Sequence, residues 1–273
     1  MKSINLSNIS QYLFKSFWAL SERIPYFKNF FRLLRFFPLH STPHSWDILG
    51  IALEDYYSNA LKSKFVYYQN CLQKEYNCKE WEFNLESYFR PLNKLSKLEK
   101  KLIDLSYGNI LDIGSNTGYY IPYLMKRGAT TGIEVSSKIN TIARKRGVYC
   151  ITGDIYSYKF KNKFDTVTLI GNDIALSGTL YRLKKLLKIF SALLNKNGQV
   201  LLIIRNIQTL KYWHVVYTPH YNGRFGTPFK LLFLNVHFFC KLANKYNFQF
   251  TLLGREGVPE NLFYLVRLIK LPR

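Results

Sequence analysis

Apolar positions fall into two rhythms along the chain. Short apolar-rich runs at 109–113, 164–170 and 199–204 carry few polar breaks, as strands covered on both faces do. Longer stretches repeat at three and four: Leu95, Leu98, Leu102 and Leu105 in one, Leu180, Leu183, Leu187, Phe190 and Leu194 in another, so each predicts a helix with one buried face. The interval 46–106 reads as helical. After 109–113 the pattern predicts a helix over 118–127, a strand over 130–134, and a helix that Ser136 or Ser137 caps and Gly147 ends. Asn197-Gly198 turns the chain into the strand at 199–204. Residues 211–229, rich in Tyr, His, Gly and Pro, read as a loop, followed by one helix and two closing strands at 248–253 and 261–268. Repeated β-α-β units of this size predict a parallel sheet with helices on both faces.

Composition narrows the class. The 273 residues suit one large domain with an appendage, and 48% hydrophobic with 21% charged residues excludes a disordered or fibrous chain. Lys and Arg number 39 against 17 acids, a formal charge of +22 that calls for an anionic partner or surface. No apolar run approaches the ~20 residues of a membrane span, and the start lacks the apolar core and cleavage site of a secretion signal. Cys71, Cys78, Cys150 and Cys240 form no CxxC pair and have no zinc-ligand spacing, so no metal is expected. Free thiols and a cytoplasmic location are the expectation.

Three acids stand at three successive strand ends. Asp112 precedes the glycine loop of Leu111-Asp-Ile-Gly-Ser-Asn-Thr-Gly118, Glu134 ends the next strand twenty residues beyond Gly114, and Asp154 follows the third. A glycine loop opening a helix brings backbone amides close to a ligand, and an acid at the second strand end can accept both hydroxyls of a ribose. Asp154 can accept from an exocyclic amine.

With these motifs the chain resembles the class I S-adenosylmethionine-dependent methyltransferases: Leu111 to Gly118 is similar to their first motif, Gly132-Ile-Glu-Val-Ser136 to the second, and Gly153-Asp154-Ile155 to the third. The likeness runs over about 46–270. It is strongest to a prokaryotic subgroup with a Tyr-Phe-Arg-Pro element, here Tyr88 to Pro91, and a Gly-Asn-Asn loop, here Gly171-Asn172-Asp173. The resemblance implies an α/β fold, a doubly wound, seven-stranded and mostly parallel sheet of Rossmann-like type, with an N-terminal helical extension. It divides the chain into a basic aromatic extension (1–45), a helical cap (46–106) and an S-adenosylmethionine-binding domain (107–273). Asp112, Gly114, Ser115, Asn116 and Gly118 would hold the methionine end of the cofactor, Glu134 and Val135 the ribose, Asp154 and Ile155 the adenine, with Gly171 and Asn172 alongside.

Two departures stand out. Asn116 replaces a glycine or other small residue, a change that asparagine's tolerance of left-handed backbone accommodates. Asp173 replaces the subgroup's Asn and puts a carboxylate beside the expected methyl. Asp173, His214 and His220 are therefore candidate catalytic residues, with a turn cap as the alternative for Asp173. Arg90, Tyr221 and Arg224 are candidates for binding the acceptor, with a structural ion pair as the equal alternative for the arginines. The expected acceptor is a small molecule methylated at oxygen or nitrogen. RNA is the alternative, as is a non-catalytic cofactor-binding or membrane-associated role. Residues 26–37, where Lys28, Arg32 and Arg35 alternate with aromatics, fit either an anionic membrane surface or the domain's own core.

Overall fold

The computed structural model describes residues 43–71 and 79–271. The segment 26–37, with its membrane reading, lies outside the described residues, as do Cys78 and most of the extension. Helix α1 (Pro43–Tyr57) leads into strands β1 (Val66–Cys71) and β2 (Lys79–Glu82); α2 (Lys97–Leu105) then precedes β3 (Ile110–Ile113). Next come α3 (Ile121–Leu124), β4 (Thr130–Glu134), α4 (Ser137–Lys145), β5 (Cys150–Thr152) and β6 (Phe164–Leu169). Helix α5 (Leu180–Leu193) runs into β7 (Leu194–Arg205), followed by β8 (Tyr212–Tyr221), β9 (Arg224–Phe225) and β10 (Phe229–Leu234). Helix α6 (Val236–Lys245), β11 (Phe248–Glu256) and β12 (Phe263–Lys270) close the chain.

Seven strands form the expected mostly parallel sheet, ordered β11-β12-β7-β6-β3-β4-β5, with only the pairings of β12 antiparallel. Both faces are buried, and the period of two divides them. Val200, Leu202 and Ile204 pack with Leu183, Leu187 and Phe190 of α5 and Phe239 of α6. Leu201 and Ile203 pack with Leu98 and Leu102 of α2 on the other side. The chain reverses its strand order between β3 and β6, which opens a crevice beyond their C-terminal ends.

The second sheet departs from the sequence expectation. Strands β10-β8-β1-β2, all antiparallel, with β9 on the margin of β8, are built from the segment read as helical cap and the segment read as loop. Within 46–106, α1 and α2 are helices, but 66–71 and 79–82 are strands. Neither shows clean alternation, and β2 is exposed throughout; β1 is made a strand by pairing with β8, almost 150 residues away, and β2 by pairing with β1. This sheet joins the main one where Asn206 bridges Leu234 and Ile207 donates to the Leu234 carbonyl at 3.1 Å. Helix α1 supports it from α4, close enough that a Cβ on Gly50 would stand 2.8 Å from Cβ of Lys138.

The Tyr-Phe-Arg-Pro element packs on the helix-sheet seam. Ser96 and Glu99 form a capping box at the start of α2. The same Glu99 carboxylate takes both ends of the Arg90 guanidinium, at 2.7 and 3.3 Å, and the Tyr120 hydroxyl. Arg90 Nε donates to the Ser87 carbonyl at 2.9 Å. The bidentate pair pins residues 88–91 against the loop after β3, where Thr117 donates to the Tyr88 carbonyl. Among the described residues no helix is long and apolar enough to cross a membrane.

Candidate active site

Glycine at 114 lets the loop after β3 turn tightly with φ of 76°. An added Cβ there would lie 3.1 Å from Oδ2 of Asp173, so the two strand ends nearly touch. Asn116 follows with φ of 49°, the left-handed form asparagine accepts. Its backbone N–H donates to Oε2 of Glu134 at 3.1 Å, and the Ser136 N–H donates to Oε1 at 2.9 Å. The loop and the second strand end are thus fixed to each other through one carboxylate. Burial raises the Glu134 pKa, against the opposing effect of these backbone N–H groups. Each oxygen keeps a second acceptor position on a side chain that lines the crevice. Asp154 accepts from the Tyr156 N–H at 2.9 Å through Oδ1, while Oδ2 stands 3.9 Å from Arg182, whose guanidinium lies 3.9 Å over the Tyr156 ring.

Two further carboxylates share this ground. Asp112 is 2% exposed; the Thr168 hydroxyl donates to Oδ1 at 2.7 Å and Oδ2 has no partner. Burial pushes its pKa up to about 7, with Thr168 pulling down and Glu134 adding to the rise. Asp173 accepts no hydrogen bond from any described residue and does not cap its turn, whose first position is Asn172 at φ of 73°. Its carboxyl is held well above the usual range, by burial first and then by Asp112 and Glu134. The solvent it touches is confined to the crevice, so the charged form is poorly screened. A cation entering among these three acids would favour their charged forms.

The crevice widens into a cavity of about 950 Å³ whose far wall is the second sheet. Register puts alternate residues on this wall: Trp81 and Tyr67, Tyr217 and Phe229, then Trp213 and Phe233. Gln69 Oε1 accepts from Trp81 Nε1 at 2.7 Å and from the Tyr217 hydroxyl at 3.2 Å, which fixes the amide orientation because an indole N–H only donates. The wall is aromatic and held in shape.

Of the residues singled out in the sequence, Gly114, Asn116, Glu134, Val135, Asp154, Ile155, Gly171, Asn172 and Asp173 line this cavity. Asp112, Ser115 and Gly118 lie behind the loop rather than on its surface. The remaining candidates fall elsewhere. His214 and His220 occupy even positions of β8, opposite in parity to the cavity-facing Trp213, Val215 and Tyr217. His214 donates from Nδ1 to the Gly178 carbonyl at 3.0 Å, and His220 packs on Tyr68 and Phe225. Tyr221 is buried under α1, donating to Asp55 at 2.8 Å and accepting from the Lys62 N–H at 2.9 Å. Arg224 is exposed on β9. Neither histidine, nor Tyr221, nor Arg224 reaches the cavity, and Arg90, though on its edge, is bound to Glu99. The sequence reading also missed Arg205 and the aromatic wall. The every-second-residue pattern of 213, 215 and 217 was the one available signal, and the surrounding His, Pro and Gly masked it.

The Asp112 pKa carries a sign. Raised in the folded state, it stabilises the fold at pH below the ordinary carboxylate value and loses that contribution as pH climbs through about 7. Asp112→Asn keeps an acceptor for Thr168 and cannot ionise. The difference in melting temperature, variant minus wild type, is therefore expected to grow from pH 5 to pH 8 without ligand; a constant difference contradicts the assignment.

Residues 110–198 match the family described as a methyltransferase domain. A ribosomal RNA large subunit methyltransferase E of Borrelia garinii subsp. bavariensis is 35% identical over 99 residues, 34% of this chain and 51% of the relative. The matched part thus spans about half the length of that curated relative. Among solved structures, a SAM-dependent methyltransferase from Bacteroides fragilis in complex with S-adenosyl-L-homocysteine superposes with a TM-score of 0.73 at 21% identity, covering 84% of this chain and 97% of that one. A sugar N-methyltransferase from Streptoalloteichus gives 0.52 at 12% identity over 73% of this chain and 98% of its own. Residues 110–198 thus match a methyltransferase domain, and the seven-stranded fold around them is similar to that of solved S-adenosylmethionine-dependent methyltransferases.

Proposed function

We propose that the protein transfers a methyl group from S-adenosylmethionine to a small-molecule acceptor, at oxygen or nitrogen. The observation that carries this is one continuous cavity with two unlike ends: a carboxylate-rich crevice at the strand ends and an aromatic wall opposite. The crevice fits the cofactor by charge. Glu134 retains acceptor positions for two ribose hydroxyls, and Asp154, on the same cavity lining, would accept from the exocyclic amine. S-adenosylmethionine supplies an electrophilic methyl carbon on a sulfonium. The chain's task is to hold donor and acceptor in line and to keep water out, which accounts for much of the catalysis in such a displacement.

Asp173 is the assigned base. Burial and the neighbouring carboxylates raise the pKa of its unpartnered carboxyl beside Gly114, and a cation entering the site favours the charged form, which can take a proton from an acceptor O–H or N–H. The RNA reading is favoured by the 99-residue likeness to the ribosomal RNA enzyme and by the charge of +22. Against it stands the aromatic wall, which encloses a volume suited to a small ligand.

Three measurements test this reading. Glu134→Ala should weaken S-adenosylmethionine binding by about 2–3 kcal/mol in calorimetry, through loss of charge-assisted hydrogen bonds; wild-type affinity in a folded variant removes the cofactor assignment. Asp173→Asn should slow methyl transfer by roughly a hundredfold while altering cofactor affinity far less, and unchanged turnover at saturating acceptor rules out the base. Labelled methyl offered to a metabolite extract and to total RNA should enter the small-molecule fraction. Label in RNA alone would establish the second reading in its place.

A further inference from the structure

We propose that Arg205 is the acceptor-recognition residue, and that the acceptor is an aromatic or otherwise flat molecule carrying a carboxylate or phosphate. The inference rests on the methyltransferase reading for the word acceptor, though the anion site itself does not require it. Three arginines line the cavity, and two are already paired: Arg90 with Glu99 at 2.7 Å and Arg182 with Asp154 at 3.9 Å. Arg205 is different. Half-buried at the end of β7, it has no carboxylate within 4.0 Å and no side-chain hydrogen bond among the described residues.

Its position is nevertheless controlled at two points. The backbone N–H donates to Oδ1 of Asn172 at 3.0 Å, which ties the residue to the loop that carries Asp173. The guanidinium carbon lies 5.7 Å from the centre of the Phe233 ring, a distance at which the ring face favours the cation and restrains its plane. A guanidinium so held offers a fork of parallel N–H groups to a planar or tetrahedral anion, and its partial desolvation makes such a partner worth more than it is in water. Phe233 also belongs to the wall that Trp213 continues, so the surface beside the fork is flat and apolar. An anionic head on Arg205 and a ring against Phe233 and Trp213 would leave the opposite end of the acceptor directed along the cavity.

The test uses the full-length protein loaded with S-adenosylhomocysteine and two matched pairs of probes, 4-hydroxybenzoate against 4-hydroxybenzamide and phenyl phosphate against phenol. Calorimetry is expected to show at least one anion bound about tenfold or more tightly than its neutral partner, in line with a charge-assisted pair. Which pair shows the preference separates carboxylate from phosphate. Arg205→Gln should erase the preference, Arg205→Lys should restore part of it, and both should bind S-adenosylhomocysteine as the wild type does. No anion preference in the wild type, or one that survives Arg205→Gln at an unchanged melting temperature, overturns the proposal. If the wild type fails to bind S-adenosylhomocysteine yet keeps an Arg205-dependent preference in the unliganded protein, the cofactor reading fails and the anion site stands.

Discussion

Three carboxylates packed around one glycine turn set the terms for the rest of the molecule. Asp112, Glu134 and Asp173 arrive at the same place because β3, β4 and β6 are neighbours whose C-terminal ends point the same way. Burial raises the pKa of each, and neighbouring carboxylates add to the rise at Asp112 and Asp173. Glu134 is held by backbone N–H groups from two different loops, which makes it the fastening between the first and second strand ends. Asp173 has no such support. That asymmetry separates their chemistry: a carboxylate clamped by amides keeps its position, while an unpartnered one is free to change protonation when a cation enters.

The fold answers this concentration of acid with structure on every side. Thr168 on the adjacent strand stabilises Asp112 from behind. The Arg90–Glu99 pair and Tyr120 hold the Tyr-Phe-Arg-Pro element against the loop, so Tyr88 closes the crevice from the α2 side. An ion pair of this kind, one partner almost fully buried, contributes more to fixing geometry than to net stability. It explains why an arginine close to the cavity is a poor candidate for binding a ligand.

The antiparallel sheet adds what the parallel sheet lacks. An open α/β sheet presents its crevice to solvent, and methyl transfer works best in a site from which water is excluded. Strands β1, β2, β8 and β10 supply a wall of rings in register, with Gln69 locking two of them, and the junction at Asn206 and Leu234 ties this wall to the strand that carries Arg205. The formal charge of +22 stands in contrast to the acid-lined crevice.

What the sequence determined by itself is the parallel sheet and the acids at its edge, and the reason is local. A strand buried on both faces must be apolar along its length, a helix that covers it must repeat at three and four, and the loop joining them must bring glycine to left-handed backbone, so β3 through β7 and the placement of Asp112, Glu134 and Asp154 are legible within some forty residues of one another. The helix expected at 118–127 is α-helical only over Ile121–Leu124, with turns bonded three residues apart on either side. Only the tertiary structure decided the second sheet. Its strands are polar, aromatic and short of alternation, and β1 becomes a strand by pairing Val66 with His220 across the length of the chain. The same register decided which side chains face the cavity. A shift of one residue would exchange His214 and His220 for Trp213, Val215 and Tyr217 on the cavity face, and a single residue's parity in a strand is set by its partners rather than by its own identity.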